Sequence, residues 1–332
     1  MRNTAYNQEI PSQRLSGYAE IIKIGTRDSE LALWQANKVK SALEKLGYKT
    51  ELIPVKSEGD LNLDQPLYEM GITGIFTKTL DIAMLTGKID IAVHSMKDVP
   101  TVLPRGIVEA AVLKRASHRD LLLHKGLNFL NSERGIIATG SLRRKAQWLN
   151  KYPHHQVVDL RGNVNTRLQK LKDNNWNGAI FAEAGLERLG LLKSGNEIKS
   201  PSFEGVGEDL DWMLPAPAQG AMLVVAMEID VKIRKIIAKL NHKETEICVH
   251  IEREFLKILE GGCTAPIGAL ATIEGDTLHF EGNLLSLDGK QKLAVKKSVP
   301  VEETKALGRK CAEELLNNGG KVLMEDIKKE LN

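Results

Sequence analysis

Cysteine is scarce in this chain: three in 332 residues, at positions 248, 263 and 311, with no CxxC pair and no closely spaced histidine. That usage supports neither a disulfide framework nor a structural zinc site, and a reducing compartment suits it best. Long apolar runs are missing too. No stretch approaches the roughly eighteen consecutive apolar residues that suggest a membrane span. The opening "MRNTAYNQEIPSQRLSGYAE" has no apolar core of a secretory signal and reads as a frayed polar N-terminus. The expectation is a cytoplasmic protein without a membrane attachment. An excess of one charge is also lacking: 46 Lys and Arg stand against 43 Asp and Glu, a net +3, and aromatics make up only 5%. Neither a general polyanion surface nor a base-stacking platform follows from such numbers, so nucleic-acid binding is not expected and any anion site has to be local. GxGxxG, Walker A and HExxH patterns are absent, which leaves nucleotide-binding and zinc-hydrolase readings without support.

What is present is ample apolar content, 42%, in a chain long enough for two or three domains. Short β-type runs alternate with amphipathic segments: "IIKIG", Leu31 to Leu46, "TELIPV", Thr77 to Leu85, "IDIAVHS". The rhythm restarts at "GIIATGS" and continues through "LRRKAQWLNKY", "QVVDL", Val164 to Leu171 and "GAIFAEAG". Two similar α/β domains on mostly parallel sheets are expected. Gly190 to Trp212, rich in Gly and Ser and without a period, reads as a loop or linker. "GAMLVVAMEID" reads as one more strand. From about residue 241 the texture changes to a helix, "ETEICVHIEREFLKILE", then three strand-like runs, "PIGALATI", "TLHFEGNLL" and "KLAVKKSV", then a helix from Thr304 to Asn317. A third, α+β domain is expected there.

Positive charge is concentrated between Gly135 and Lys170, where seven Lys and Arg face one acidic residue, Asp159. "TGSLRR" sets Thr139 and Ser141 at a strand-to-helix turn with Arg143 and Arg144 in the first helical turn. "LRGNVNTR" repeats the device with Arg161 and Arg167. Cations are disfavoured at helix N-termini, so arginines placed there point to an anion held at the C-terminal ends of the strands. A turn of the same kind in "IGTRDSELALWQ" offers Arg27, with Asp28 or Ser29 as helix cap. In "IDIAVHSMKDVP" a strand ends in an adjacent base and acid, Lys97 and Asp98. An Asp in that crevice could hydrogen-bond a substrate donor that gains positive charge or transfer a proton, but the motif alone fits as well an Asp in a turn with the Lys in solvent. Cys248 and Cys311 fall on helical apolar stripes and read as core. Cys263 does not; it follows Gly261 and Gly262 in a loop, open to reading as a nucleophile or as a covalent anchor.

These motifs, with "GKIDIAVHSMKDVPT", "LRGNVNTRLQKL", "AGLERLG", "LPAPAQGAM" and "LEGGCTAPIGA" in that order, resemble the porphobilinogen deaminase (hydroxymethylbilane synthase) family over about residues 21 to 320. The resemblance implies two doubly wound α/β domains similar to type II periplasmic binding proteins, formed by 1–115 with 219–240 and by 116–218. A smaller α+β domain, 241–332, would carry a three-stranded antiparallel sheet. It implies a transferase of tetrapyrrole and haem biosynthesis that joins four porphobilinogen molecules head to tail, releases ammonia at each step and frees hydroxymethylbilane by hydrolysis. It further implies a dipyrromethane cofactor held as a thioether by Cys263, with Asp98 as catalytic carboxylate. Ser95, Lys97, Thr139, Ser141, Arg143, Arg144, Arg167 and Arg188 would bind that cofactor. Arg27, Ser29, Arg161, Gln35, Phe76 and Gln219 would bind substrate or line the cleft, and the enzyme would act as a monomer. This chain departs from the family pattern at Glu69 and Thr73, where relatives often have lysine, and in a longer segment between Gly190 and Leu214. An arginine-lined α/β cleft also describes an anion-transport protein; the missing signal sequence and the Asp98 and Cys263 pair weigh against that.

Overall fold

The computed structural model describes residues 21–56, 77–132, 134–259 and 265–331. Its strands, in chain order, are β1 (Ile22–Thr26), β2 (Thr50–Pro54), β3 (Ile91–Ser95), β4 (Ile107–Val112), β5 (Asp120–His124), β6 (Ile136–Ala138) and β7 (Gln156–Val158). They continue with β8 (Gly178–Ala182), β9 (Glu197–Lys199), β10 (Glu204–Asp209), β11 (Met222–Met227), β12 (Ile267–Glu274), β13 (Thr277–Leu285) and β14 (Lys292–Pro300). They form three sheets: β2-β1-β3-β11-β4, β7-β6-β8-β5-β10-β9, and β12-β13-β14.

Strand periodicity explains why both faces of the first sheet are covered. Ile91 and Val93 of β3, with Val224 and Ala226 of β11, join a core with Val39 and Leu43 of the helix Glu30–Lys45 and Ile237 of the helix Val231–Ile237. Ala92, Leu223 and Val225 point the other way, into a core with Leu80 and Met84 of the helix Lys78–Leu85. Successive side chains on opposite faces give each strand two apolar sides, the condition for a doubly wound sheet. The second sheet repeats this: Ile137 and Ile180 pack with Trp148 of the helix Leu142–Lys151, whereas Ala138 and Ala179 pack with Leu168 and Leu171 of the helix Val164–Asp173. In the third unit Phe255 of the helix Lys243–Ile258, Cys311 and Leu315 of Leu307–Leu315 and Ile327 of Lys321–Leu331 share one core with Phe280 and Leu284.

The sheets are mixed rather than mostly parallel. β1 runs parallel to β2 and β3, and β6 parallel to β7 and β8, but β11 is antiparallel to β3 and β4, and β5 to β8 and β10. The cause is connectivity. The chain leaves the first sheet after β4, builds the second from β5 to β10, and comes back as β11, which enters between β3 and β4. Two crossovers, between β4 and β5 and between β10 and β11, therefore join the units side by side. The reading of Gly190 to Trp212 as a loop is also corrected: it contains β9 and β10, and β10 pairs antiparallel with β5 at Gly207, Glu208 and Asp209. Glycine content there reflects close packing, since a Cβ on Gly207 would sit 3.1 Å from a Leu123 methyl.

Candidate active site

β3 ends at Ser95, and Met96–Asp98 form a single 3-10 turn at the edge of a crevice between the two large sheets. Facing it are the arginine turns of the second sheet. Ser141 caps the helix Leu142–Lys151, accepting from the Arg144 amide, and Asn163 caps Val164–Asp173, accepting from the Thr166 amide at 2.9 Å. The two turns lie close together, because a Cβ on Gly140 would come within 2.6 Å of the Leu160 carbonyl oxygen. Only glycine permits that approach, and it places Thr139, Ser141, Arg143 and Arg144 beside Arg161 and Arg167. The Thr139 hydroxyl accepts from the Ser141 amide at 3.3 Å and steadies the first turn.

A residue that spacing did not single out holds the arginine pair. Asp120, at the start of β5 and 0% exposed, takes Arg143 Nη2 at 2.8 Å on one oxygen and Arg144 Nη2 at 2.7 Å on the other. Burial alone would raise its pKa, but Arg143 and then Arg144 override that and hold the carboxyl well below the usual range. Arg143 also donates to the Leu214 carbonyl at 2.6 Å and Arg144 to the Ile180 carbonyl at 2.8 Å. Both guanidiniums are thus oriented before any ligand arrives.

Gln219 is 0% exposed, so its amide is spent inside the protein. Its Nε2 donates to Asp120 Oδ1 at 2.8 Å and to the His118 carbonyl at 2.9 Å, and its Oε1 accepts from Lys97 Nζ at 3.2 Å. It reaches the crevice from behind, through Lys97. Gln35 is also buried, donating to Ser95 Oγ at 2.8 Å and so joining the helix Glu30–Lys45 to the end of β3. Ser29 caps that helix, its hydroxyl accepting from the Ala32 amide at 3.4 Å. Arg27 follows β1 and, after burial itself, is the second cause that pushes neighbouring His94 down to about 4, which leaves that imidazole neutral. Arg188, buried, donates to the Gly220 carbonyl at 2.6 Å and lies over the Trp34 ring at 5.7 Å, bridging second unit, crossover and first unit.

Burial pushes Lys97 down to about 8, with Asp98 opposing and Arg144 assisting. Burial likewise pushes Arg167 down to about 10, helped by Arg144 and Arg161 and opposed by Asp98 and Asp159. Asp98 therefore shares its field with cations from both sheets. Beside Lys97 is a cavity of about 50 Å³ lined by Leu31, Ser95, Lys97, Ala182, Arg188 and Gly220.

Residues 22–235 match the family model "Porphobilinogen deaminase, dipyromethane cofactor binding domain", and residues 246–317 match "Porphobilinogen deaminase, C-terminal domain". The chain belongs to the porphobilinogen deaminase family. A porphobilinogen deaminase of Trichlorobacter lovleyi is 42% identical over 309 residues, covering 92% of this chain and 96% of the relative. That of Geobacter metallireducens is 42% identical over 309 residues, covering 92% and 94%. Among solved structures, a periplasmic substrate-binding protein of an ABC transporter from Coxiella burnetii covers 66% of this chain and 92% of that one at 14% identity, with a TM-score of 0.39, a likeness too slight to add to the topology.

The residues present fit the dipyrromethane group of porphobilinogen deaminases. Its side chains are carboxylates, and the crevice gathers Lys97, Arg143, Arg144, Arg161 and Arg167, of which Lys97 and Arg167 have their charged forms weakened by burial and by each other's neighbours. Bound carboxylates relieve that repulsion, and guanidinium forks suit them geometrically. Cys263 and Phe76 lie outside the described residues, as do Glu69 and Thr73. Cys248 and Cys311 are buried free thiols, each pushed up to about 11 chiefly by burial, which suits core packing and not nucleophilic chemistry.

Proposed function

We infer that the chain is a hydroxymethylbilane synthase, a transferase of tetrapyrrole biosynthesis that condenses four porphobilinogen molecules head to tail on a dipyrromethane cofactor, releasing ammonia and then the linear tetrapyrrole. The observation that carries this is the crevice in which the Lys97–Asp98 turn of one sheet shares its field with arginines at two helix N-termini of the other.

When bound, the dipyrromethane group supplies the pyrrole carbon onto which the first substrate unit is joined; Cys263 is proposed as its thioether anchor. Ser95, Lys97, Thr139, Ser141, Arg143, Arg144, Arg167 and Arg188 are proposed to hold its acetate and propionate groups, and Arg27, Ser29 and Arg161 those of porphobilinogen, with Phe76 and Gln35 at the cleft wall. Gln219 is assigned an indirect part, fixing Lys97 against Asp120. Asp98 is proposed as the catalytic carboxylate. Loss of ammonia from porphobilinogen leaves positive charge spread onto the pyrrole nitrogen, and a carboxylate in a partly buried crevice stabilises that charge more than water does. The same oxygen can accept the proton lost when the new bond is complete.

The cavity of about 50 Å³ beside Ser95, Lys97 and Arg188 is smaller than the roughly 300 to 1,000 Å³ of small-molecule sites, and we propose that the growing chain occupies the arginine-lined crevice next to it. We propose units of 1–115 with 219–240, 116–218 and 241–332, acting as a cytoplasmic monomer without nucleic acid or membrane. Incubating the purified protein with porphobilinogen and following ammonia and hydroxymethylbilane tests the activity. Four ammonia per tetrapyrrole is the expected ratio, and ligand binding without ammonia release would favour a transport protein.

A further inference from the structure

The helix Lys243–Ile258 belongs to the third unit, yet two adjacent side chains on it, Glu252 and Arg253, are buried against the other two. Glu252 is 0% exposed and accepts from Arg115 Nη1 at 2.6 Å, the Ala218 amide at 2.6 Å and the Ala271 amide at 2.8 Å. It ties both crossovers to β12. Arg253 serves a different place: its Nη1 donates to the Val99 carbonyl at 2.9 Å and the Met96 carbonyl at 3.3 Å, and its Nη2 to the Pro100 carbonyl at 2.7 Å. Glu109 Oε1 lies 3.6 Å from the same group.

Those carbonyls bracket Lys97 and Asp98. The turn that presents Asp98 is three residues of 3-10 helix, too short to be stiff by itself, and it runs into Pro100, which has no amide hydrogen to donate. Carbonyls withdrawn from water require donors, and a planar guanidinium supplies several in fixed geometry where an ammonium supplies a single centre. The helix that carries this fork ends at Ile258, five positions before Cys263. One helix of the third unit thus grips the turn that carries Asp98.

We propose that Arg253 is a positioning residue for the condensation, holding the Met96–Pro100 turn so that Asp98 keeps its place in the crevice facing the arginine turns. It acts through main-chain carbonyls. The inference rests on the reading of Asp98 as the catalytic carboxylate, and the experiment separates the two. Arg253→Met, Arg253→Lys and Asp98→Asn are purified, the loaded fraction of each is counted by intact mass, and kcat and KM for porphobilinogen are measured per loaded molecule. For Arg253→Met the expected result is a kcat lowered about 10- to 100-fold, the scale of an ångström of misplacement, with KM within about twofold. Arg253→Lys, which keeps charge and part of the donor set, recovers most of that kcat but not all of it. If Arg253→Met yields no folded, loaded protein, Arg253→Lys decides alone: lowered kcat at constant KM supports positioning, and parental kcat overturns it. Parental kcat per loaded molecule in Arg253→Met, or a loss carried wholly by KM or by loading, also overturns it. Near-normal turnover in Asp98→Asn would instead overturn the reading beneath it.

Discussion

Lys97 donates to the Oε1 of Gln219 at 3.2 Å although 122 positions separate them. The contact joins the end of β3 to the returning crossover, and Gln219 passes it on to Asp120 at 2.8 Å. A lysine held at about 8 keeps its charge below that pH and loses it as pH rises through it, well before an exposed lysine would. Without bound carboxylates its charged form costs stability below about pH 8, a cost relieved between there and its ordinary value near 10.5. Carboxylate binding has the opposite preference and weakens above about pH 8. The rate at which cofactor-free protein is loaded by porphobilinogen should therefore fall above about pH 8, and Lys97→Arg should extend the plateau to higher pH, because arginine stays charged. Identical profiles for the two proteins would remove Lys97 from carboxylate binding.

Asp120→Asn leaves two buried guanidiniums sharing no carboxylate. Breaking a buried ion pair from one side costs about 3 to 5 kcal/mol, and the loss should appear as a lower urea midpoint together with poor cofactor loading. A folded, fully loaded variant of parental stability would show that the arginines need no internal counter-ion. The sign with pH is definite. A carboxyl depressed in the folded state gives its full contribution above the unfolded value near 4 and loses it as pH falls towards the folded value, so the parent should lose more stability over that acid window than the variant, in which Glu109, Glu183 and other depressed carboxylates remain.

Asp98→Asn removes the charge and keeps the shape. Turnover should fall about 10²- to 10⁴-fold, the range for a positioned acid or base, with fold and bound cofactor retained by circular dichroism and intact mass. Consumption of porphobilinogen near the parental rate would exclude Asp98 from the chemistry.

Gly220 sits in the returning crossover at φ +86°, and a Cβ there would meet the Ser117 carbonyl oxygen at 2.4 Å. The left-handed conformation and the close approach of the other crossover both demand glycine. Gly220→Ala should destabilise by about 1 to 3 kcal/mol by urea unfolding and disturb the Arg188 contact to the Gly220 carbonyl. An unchanged midpoint would mean that the crossovers part easily at this point.

The legible part of the site is the part encoded locally. At "TGSLRR" the strand run, the cap and the arginines fall within a few residues, so the turn and its charge can be read together. Asp120 carries no such signal. Its carboxylate looks like the polar start of a strand, and its partners, Arg144 at 24 positions and Gln219 at 99, are chosen by how the crossovers fold back. Gln219 looked like a cleft residue from its motif, but burial against Asp120 turns its amide inward. Arg253 was hidden because it lies in an amphipathic helix whose apolar stripe gave a sufficient local explanation. Composition misread Gly190 to Trp212, since glycine marks loops and also the strand positions where a neighbouring side chain packs close, as at Gly207. The alternation of strands and helices announced two α/β units, but not the antiparallel entry of β11 between β3 and β4, which depends on a strand encoded more than a hundred residues after its neighbours.

The central claim is that this chain works as a porphobilinogen deaminase with a dipyrromethane primer tethered at Cys263, and intact mass spectrometry of the active protein tests it most directly. The account predicts an added mass of two linked pyrrole units, absent from Cys263→Ala together with activity. Full activity at the unmodified sequence mass would contradict it.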